Sequence, residues 1–291
     1  MLVVVRLSGG LGNQLFQYAA GRALSIKHGV PILLDKSFYS DSPNRNYKLS
    51  SFNVSDSQIN KKDLFKIFHK RNLRITEFFK PVKSILAESE LVYKEKNFSF
   101  NSDFTSLNAP VILDGYWQSE KYFLDYASII KDDFKIVDQF DVNHSGVASK
   151  ILNEQSVAIH IRRGDYVSNP HINAIHGVCD EDYYVRAYEL LVQKVGKVVP
   201  YFFSDDNDAA QRIIKRIGNG VLISDIVPGN DISDFSLMRS CQHFIIANST
   251  FSWWAAYLGS NENKIVLAPK NWFKSEEYST DDLIPLNWMK V

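Results

Sequence analysis

The chain has 291 residues, enough for one large domain or two of about 140 residues each. Hydrophobic residues make up 45% of the chain and charged residues 23%, as in an ordinary soluble globular protein. The 33 basic and 33 acidic residues balance, so the chain has no net positive charge that would favour binding to nucleic acid. Two cysteines are too few for a disulfide framework, and the apolar run from residue 2 ends at Arg6, too short for a signal peptide or an anchor. We therefore expect a cytoplasmic protein without a nucleic-acid partner.

A strand, a glycine-rich turn and a helix are predicted at the start of the chain. Leu2–Leu7 is an apolar run, and residues 13–28 repeat apolar side chains at helical spacing. The turn around Gly10 can hold an anion through its backbone N–H groups and the helix dipole, and the amides of Asn13 and Gln14 can reach a substrate oxygen. It is not a dinucleotide-binding fingerprint, because leucine stands where the last glycine should fall. Tight packing between strand and helix is the alternative explanation.

The rest of the first half is less regular. Gly29-Val30-Pro31 ends the helix before a strand at Ile32–Leu34, and a further strand is predicted near Val111–Leu113. Residues 61–83 hold eight Lys and Arg against two Asp and Glu, with aromatic residues between them. This pattern favours a solvated face over a stripe that packs in the core, and peripheral contact with an anionic membrane surface is the alternative.

Strand and helix alternate regularly in the second half, which predicts a parallel sheet with helices on both faces. The polar stretch Asp138–Lys150 separates the two halves. We therefore predict an α/β chain of two Rossmann-like domains facing a cleft, with bounds 1–145 and 146–291. The predicted strands of the second half are 156–161, 200–204, 220–224, 243–248 and 264–268, and the predicted helices are 181–196, 207–217, 233–241 and 252–260.

The segment from Val157 to Tyr166 carries the strongest functional signal. It is a buried-type strand that ends in Arg162, Arg163, glycine and aspartate, and His160 shares one face with Arg162. Ligands bind at the carboxyl ends of parallel strands. Two guanidiniums there require an anion, and a diphosphate fits their bidentate geometry. A salt bridge between arginine and aspartate that caps the strand is the alternative.

Two further strand ends carry polar residues. Asp205 follows the second of these strands and can accept hydrogen bonds from a ribose or a nucleobase, although helix capping also explains an acid there. Asp206 and Asp208 have the D-x-D spacing of a divalent-metal site. After the strand at 243–248, three hydroxyl side chains open a helix and predict a second anion site. They belong to Ser249, Thr250 and Ser252.

These motifs together resemble the α-1,2-fucosyltransferases of glycosyltransferase family 11. The resemblance rests on GGLGNQLFQYAAGRAL near the start, GYWQSEKYF at 115–123, HIRRGDY at 160–166, FSDD at 203–206 and IANSTFSWWAAYL at 246–258, and it spans nearly the whole chain in order. It implies a GT-B-type fold with an N-terminal acceptor-side domain and a C-terminal domain that binds GDP-fucose. It also implies inverting transfer of fucose to a galactose 2-hydroxyl, without a cofactor or a divalent metal, in bacterial surface-glycan synthesis such as that of O-antigen. The acceptor is then a galactose-terminated oligosaccharide, free or lipid-linked at the inner face of the membrane.

The resemblance also implies roles for individual residues. Arg162 would hold the departing β-phosphate, Asn13 would approach the scissile bond, and Asp165 is the candidate general base. Asp165 could instead orient Arg162, or a phosphate oxygen could take the proton. The remaining donor-binding candidates are Gly10, His160, Asp205, Asp234, Asn248, Ser249, Thr250, Phe251 and Ser252, and the acceptor-binding candidates are Tyr116 and Trp117.

Two other functions stay open from the sequence. The first is a metal-dependent glycosyltransferase that uses Asp206 and Asp208. The second is a non-catalytic module that binds a nucleotide sugar or a glycan.

Overall fold

The structure is a computed structural model that describes residues 1–42, 45–57, 59, 89–137, 142–227, 230–275 and 278–291. The basic segment predicted at 61–83 lies outside these ranges. The chain forms two compact units, unit 1 at Met1–Val137 and unit 2 at Asp138–Val291. Among the described helices, none is long and apolar enough to cross a membrane.

The described part of unit 1 contains a four-stranded parallel sheet and one long helix that packs on it. Its strands are β1 (Val3–Arg6), β2 (Ile32–Asp35), β3 (Val92–Lys94) and β4 (Val111–Asp114), in the sheet order β2-β1-β4-β3. Its described helices are α1 (Leu11–His28), α2 (Ser37–Asp41) and α3 (Ala127–Asp133), with short 3-10 helices at Leu49–Ser51, Ser102–Ser106, Glu120–Tyr122 and Leu124–Tyr126.

The first helix is flanked by glycines and ends where predicted, but it begins at Leu11, two residues before its predicted start. Gly10 precedes α1, and the backbone N–H groups of Asn13 and Gln14 both donate to the Gly10 carbonyl at 3.1 Å. Gly29 ends the helix in the left-handed conformation, with φ of 59°, which glycine adopts without strain. The valines of β1 are buried in the core beneath this helix.

Unit 2 contains a six-stranded parallel sheet. Its strands are β5 (Ser156–Ile161), β6 (Val199–Ser204), β7 (Val221–Leu222), β8 (His243–Ile245), β9 (Val266–Ala268) and β10 (Met289–Lys290). Its described helices are α4 (Val142–Asn153), α5 (Gly164–Ser168), α6 (Pro170–His176), α7 (Glu181–Val195), α8 (Asn207–Ile217), α9 (Asp231–Arg239) and α10 (Thr250–Leu258), with a 3-10 helix at Ile223–Asp225.

The strand order of unit 2 is β10-β9-β8-β5-β6-β7. Read from its first strand, the chain steps outward through β6 and β7 and then returns to the other side of β5, which is the 3-2-1-4-5-6 order of the Rossmann fold. The reversal falls between β5 and β8. In open α/β sheets of this kind, ligands bind outside the carboxyl ends of the strands at that reversal.

Two strands of unit 2 end earlier than their apolar runs predict, and β9 begins at Val266 rather than at residue 264. The run at 243–248 forms β8 only as far as Ile245, because Ser249 N–H donates to the Ala247 carbonyl at 2.8 Å and turns the chain out of the sheet. The run at 220–224 forms two residues of strand before a 3-10 helix begins at Ile223. Both shortened strands leave polar loop residues near the carboxyl edge of the sheet.

Gly21 of α1 tests the packing of this helix on β1. A methyl group added there would lie 2.1 Å from Val5 Cγ2, inside the core of unit 1. We expect Gly21→Ala to destabilise the protein by about 1–3 kcal/mol, despite a gain in helix propensity of about 1 kcal/mol. Urea unfolding would measure the change.

The control for Gly21→Ala is Gly146→Ala in α4, where an added methyl group meets nothing within 4 Å. Helix propensity alone acts there, so this variant should be as stable as the parent or more stable by up to about 1 kcal/mol. Equal stability of the two variants would show that α1 does not approach β1 this closely.

Candidate functional site

The candidate site lies at the carboxyl edge of the unit 2 sheet, where β5 and β8 separate. The residues that leave β5 are Arg162 and Arg163, and those that leave β8 lead to Asn248 and Ser249. The Tyr166 hydroxyl donates to the Asn248 carbonyl at 3.2 Å and so connects the two segments. The topology therefore brings together the two motifs that the sequence placed 80–90 residues apart.

Arg162 is held by an ion pair with Asp205 across neighbouring strands. Ile161 lies opposite Ser204 in the sheet, so the next residues of β5 and β6 face each other. Arg162 Nη1 lies 2.7 Å from Asp205 Oδ2, while the Arg163 backbone N–H donates to Asp205 Oδ1 at 2.8 Å. Both carboxylate oxygens of Asp205 are thus engaged within the protein.

Gly164 makes room for this ion pair. A Cβ at Gly164 would lie 2.6 Å from Asp205 Oδ2, the oxygen that contacts Arg162. Real Cβ atoms do not approach an oxygen so closely, so glycine is required if Asp205 is to keep its position. The sequence motif contained this glycine, but its purpose depends on a residue 41 positions away, Asp205.

Asp206 is also fully engaged. Its Oδ1 accepts the Ala209 backbone N–H at 2.9 Å, which caps α8, and its Oδ2 accepts from Arg163 Nε at 3.0 Å. The Ala209 N–H, followed by the Arg163 guanidinium, holds the pKa of Asp206 below its usual value. Asp208 lies in the first turn of α8. The helix cap and the ion pair with Arg163 therefore give Asp206, the first acid of the D-x-D triplet, a structural role.

No group of three or more His, Cys, Asp or Glu side chains in the described ranges is arranged to hold a metal ion.

His160 is buried beside Arg162 and is neutral at physiological pH. Its side chain is 7% exposed, and its ring packs on Phe251 at a centroid distance of 5.6 Å. Burial, and secondarily the charge of Arg162, lowers the pKa of His160 to about 3. Among the described residues, no hydrogen-bond partner reaches its Nδ1 atom. A buried polar atom of this kind at the sheet edge is suited to a ligand contact.

Asn248 has a structural position at the end of β8. It is 2% exposed, and its amide nitrogen donates to the carbonyls of His176 at 2.9 Å, Trp272 at 3.1 Å and Gly177 at 3.4 Å. Its amide oxygen accepts from Cys179 Sγ at 3.6 Å. The side chain predicted to bind the donor is therefore occupied in joining three loops behind the site.

The first turn of α10 provides backbone N–H groups. Ser249 precedes the helix in an extended conformation, and its side chain makes no capping hydrogen bond in the described structure. Ser252 is 0% exposed, and its hydroxyl donates to the Ser249 carbonyl at 3.2 Å, so this hydroxyl stabilises the turn from inside. Thr250 is half-buried. Uncapped N–H groups at the start of a helix attract an anion.

The remaining residues predicted in unit 2 lie on two other helices. Asp234 is half-buried in the first turn of α9, next to Phe235, whose ring packs on Phe251 at 5.4 Å. Phe251 in turn packs on His160, so the rings of Phe235, Phe251 and His160 form one row. Asp165 lies in α5, three positions after Arg162, and its side chain falls outside the described part of the structure.

In unit 1, the turn before α1 is tied together by buried amides. Gln14 is buried, its Nε2 donating to the Asn46 carbonyl at 2.9 Å and its Oε1 accepting the Lys48 N–H at 2.9 Å. The prediction that Gln14 reaches a substrate oxygen is therefore wrong, because both ends of its amide are bound to the chain itself. Asn13 is half-buried and accepts from Gln118 Nε2 at 3.2 Å, and Gly10 is half-buried before it.

The two aromatic residues predicted for the acceptor have different environments. Tyr116 is 38% exposed, whereas Trp117 is 1% exposed and packs among the rings of Tyr93 and Tyr122. Of the two, Tyr116 is the one that presents its ring to solvent. Beside them the structure shows a residue that the sequence did not indicate, Glu95, whose carboxylate accepts the Tyr116 N–H at 2.6 Å and the Trp117 N–H at 3.0 Å.

Comparison with known proteins identifies the class of protein that this fold and site define. The chain is a glycosyltransferase. It belongs to glycosyl transferase family 11, whose sequence profile matches residues 2–291. An α-1,2-colitosyltransferase of Escherichia coli is 33% identical over 295 residues, covering 100% of this chain and 99% of that protein. The O-antigen biosynthesis glycosyltransferase WbnK of Escherichia coli is 32% identical over 288 residues, covering 94% and 95%.

A solved structure shows the same fold. A mutant of Arabidopsis thaliana FUT1, in complex with GDP, superposes with a TM-score of 0.50 at 11% identity and covers 98% of this chain and 74% of that one. The predicted fold class, an α/β chain of GT-B type with two Rossmann-like domains, is confirmed.

The pKa of His160 gives a prediction for the free protein. Burial disfavours the imidazolium, so the ring stays neutral until the pH falls towards 3. We expect the ring-proton NMR signals of His160, assigned with a His160→Gln variant, to show no titration between pH 5 and 8. A midpoint near the ordinary value of about 6.5 would place His160 at the surface instead.

Proposed function

We propose that this enzyme transfers L-fucose from GDP-β-L-fucose, with inversion and without a divalent metal, to the 2-hydroxyl of a terminal galactoside. The observation that carries the proposal is Arg162, held by Asp205 at the reversal of the unit 2 sheet. The likeness to WbnK, an O-antigen biosynthesis glycosyltransferase, favours a place in bacterial O-antigen synthesis. We further propose that the enzyme works in the cytoplasm, on an acceptor that is free or lipid-linked at the inner face of the membrane.

A nucleoside diphosphate fits the hydrogen-bond donors of the site. The guanidinium of Arg162 suits phosphate oxygens, and the uncapped first turn of α10 adds backbone N–H groups. His160 contributes no charge of its own because it is neutral. In this arrangement Ser249, Thr250 and Phe251 line the donor from α10, Asp234 meets the ribose or guanine from α9, and Asp205 acts on the donor through Arg162.

The reaction needs stabilisation of the leaving group. As the bond between fucose C1 and the β-phosphate oxygen breaks, its electron pair goes to GDP, and Arg162 is proposed to stabilise that charge. Because Asp205 already fixes the guanidinium, little reorganisation is required during the reaction.

The acceptor 2-hydroxyl loses its proton as its oxygen bonds to C1. Asp165 is the proposed base, and a phosphate oxygen is the alternative acceptor of that proton. Asn13 and Gly10 of unit 1 are proposed to approach the transferred sugar.

GDP-colitose is the second candidate donor, because the relative that covers the whole chain at 33% identity is a colitosyltransferase. Colitose is fucose without its 3-hydroxyl. GDP release in the presence of lactose, measured with each donor in turn, distinguishes the two. A higher kcat/KM with GDP-colitose would replace fucose in the proposal and leave the rest of it intact. No turnover of either donor despite GDP binding would favour a non-catalytic binding module.

Arg162→Ala tests the diphosphate assignment. Loss of a guanidinium that neutralises the leaving group costs on the order of 3 kcal/mol, so we expect kcat to fall by about two orders of magnitude or more with the fold retained. Steady-state GDP release and circular dichroism would measure both quantities.

The matched control is Arg212→Ala, which removes an exposed ion pair to Glu181 in the same unit, with Nε and Oε1 2.8 Å apart. Exposed ion pairs of this kind contribute little, so this variant should keep its activity. Near-normal turnover in Arg162→Ala would reject Arg162 as the diphosphate contact.

Metal independence is supported by the contacts of Asp206, both of whose oxygens are bound within the protein. We expect excess EDTA to leave lactose-dependent GDP release unchanged, and Asp208→Asn to do the same. Loss of activity in EDTA that Mn²⁺ restores would instead support the metal-dependent alternative at Asp206 and Asp208.

A further inference from the structure

A carboxylate at the carboxyl edge of the unit 1 sheet is held in place by the backbone. Glu95 directly follows β3, and its own N–H donates to the Asp114 carbonyl at the end of β4 at 2.9 Å. Its two carboxylate oxygens accept the consecutive N–H groups of Tyr116 and Trp117, at 2.6 and 3.0 Å. A carboxylate has about four lone-pair directions, so two remain for further donors.

The loop that holds Glu95 has an unfavourable local conformation. Trp117 has a positive φ of 56°, and it is the one described non-glycine residue with that property. A Cβ at Gly115 would lie 2.4 Å from Glu95 Cβ and 2.8 Å from its Oε2. The buried indole N–H of Trp117 finds no hydrogen-bond acceptor in the described part of the chain. Strain of this kind concentrates at functional sites, where a required arrangement offsets it.

Glu95 is a half-buried carboxylate that has no cationic partner among the described residues. No described Lys or Arg nitrogen lies within salt-bridge distance of it, and the hydrogen bonds from the Tyr116 and Trp117 N–H groups are its interactions in the described structure. Burial raises the pKa of Glu95 to about 7, against the lowering effect of those two hydrogen bonds. Hydroxyl donors of a ligand would satisfy the remaining lone pairs without introducing charge.

Two stacked aromatic rings belong to the segments that flank this carboxylate, Phe98 three residues after it and Tyr116 in the loop that binds it. The rings of Tyr116 and Phe98 are parallel to within 10°, with centroids 6.3 Å apart, and Tyr116 is partly exposed to solvent. Sugars present hydroxyls at their edge and C–H groups on their faces. An aromatic pair can contact the C–H faces of a sugar, and a fixed hydrogen-bond acceptor can bind the hydroxyls at its edge. Ligand sites commonly combine an apolar lining with a few placed polar groups in this way.

We propose that Glu95, Tyr116 and Phe98 form the subsite that binds the galactoside acceptor, with Glu95 accepting hydrogen bonds from its hydroxyls. This rests on the proposed function, because it assumes a galactoside acceptor, and it adds Glu95 and Phe98 as specificity-determining residues. Tyr116 supplies both a ring that stacks on the sugar and a backbone N–H that orients Glu95.

The test compares E95Q and Tyr116→Ala with the parent enzyme. Lactose binding is followed without any donor by saturation-transfer NMR, and kcat and lactose KM are measured with GDP-fucose. At pH 8, where a pKa of about 7 leaves Glu95 mostly ionised, loss of a hydrogen bond to a charged group predicts that kcat/KM for lactose falls by about ten- to a hundredfold, chiefly through KM. The Kd for GDP should stay unchanged. Tyr116→Ala keeps both backbone N–H groups and removes the aromatic surface, so it tests the subsite even if E95Q disturbs the loop.

Asp103→Asn is the matched control, since it removes an exposed carboxylate of the same unit and should leave lactose binding unchanged. Wild-type lactose KM and NMR signals in both E95Q and Tyr116→Ala would overturn the subsite, as would a fall in kcat at constant KM. Failure of the proposed function is separately visible, because the parent enzyme would then bind lactose in the NMR experiment but release no GDP from GDP-fucose.

Discussion

The ion pair between Arg162 and Asp205 is the contact on which the functional edge of unit 2 depends. An arginine side chain is long and flexible, and a free guanidinium would have to be ordered each time a ligand bound. Asp205 removes that requirement, since one of its oxygens takes the guanidinium and the other takes the Arg163 backbone N–H. The arrangement is possible because β5 and β6 are paired in register and because Gly164 carries no side chain. Charge placed in advance in this way is the form of electrostatic stabilisation that contributes most to catalysis.

Both units use the same device to fix loops at the carboxyl edges of their sheets. In unit 2, Asp205 and Asp206 accept backbone N–H groups, and Asn248 joins three loops through its amide. In unit 1, Gln17 connects Ser8 to the Gly115 carbonyl, and Glu95 accepts two consecutive N–H groups. Loops after parallel strands cannot pair with one another as strands do, so side-chain acceptors and donors satisfy their backbone groups instead. A substrate then meets a surface that is already ordered.

The two donors proposed for this enzyme, GDP-fucose and GDP-colitose, should be discriminated with a physical asymmetry. A site built to hydrogen-bond the 3-hydroxyl of fucose leaves its own polar groups unpaired with colitose, and such sites reject the deoxy analogue by about 10⁴–10⁵. A site shaped for colitose excludes fucose mainly by size, and a single added hydroxyl is discriminated against by only about 10². The ratio of kcat/KM values for the two donors therefore reports whether the site contains a polar partner for that hydroxyl.

Local patterns in the sequence determined the elements of the fold. The apolar run of β5, the amphipathic helices after it and the glycines that flank α1 are recognisable because each depends on residues only a few positions apart. The position of Arg162 after an apolar strand and the helix that follows Ser249 are recognisable from the sequence for the same reason. Residues 115–117 were recognisable as an aromatic segment, but not as a strained loop around Glu95.

Tertiary structure decided which residues act on one another. That Asp205 pairs with Arg162, that Asn248 and Ser252 are turned inward, and that Gln14 is bound by its own chain follow from strand order, register and burial, which contacts between distant segments set. Sequence spacing alone does not contain that information. The sequence therefore determined which residues stand at strand ends, and the packing of neighbouring strands decided which of them keep a polar group for a ligand.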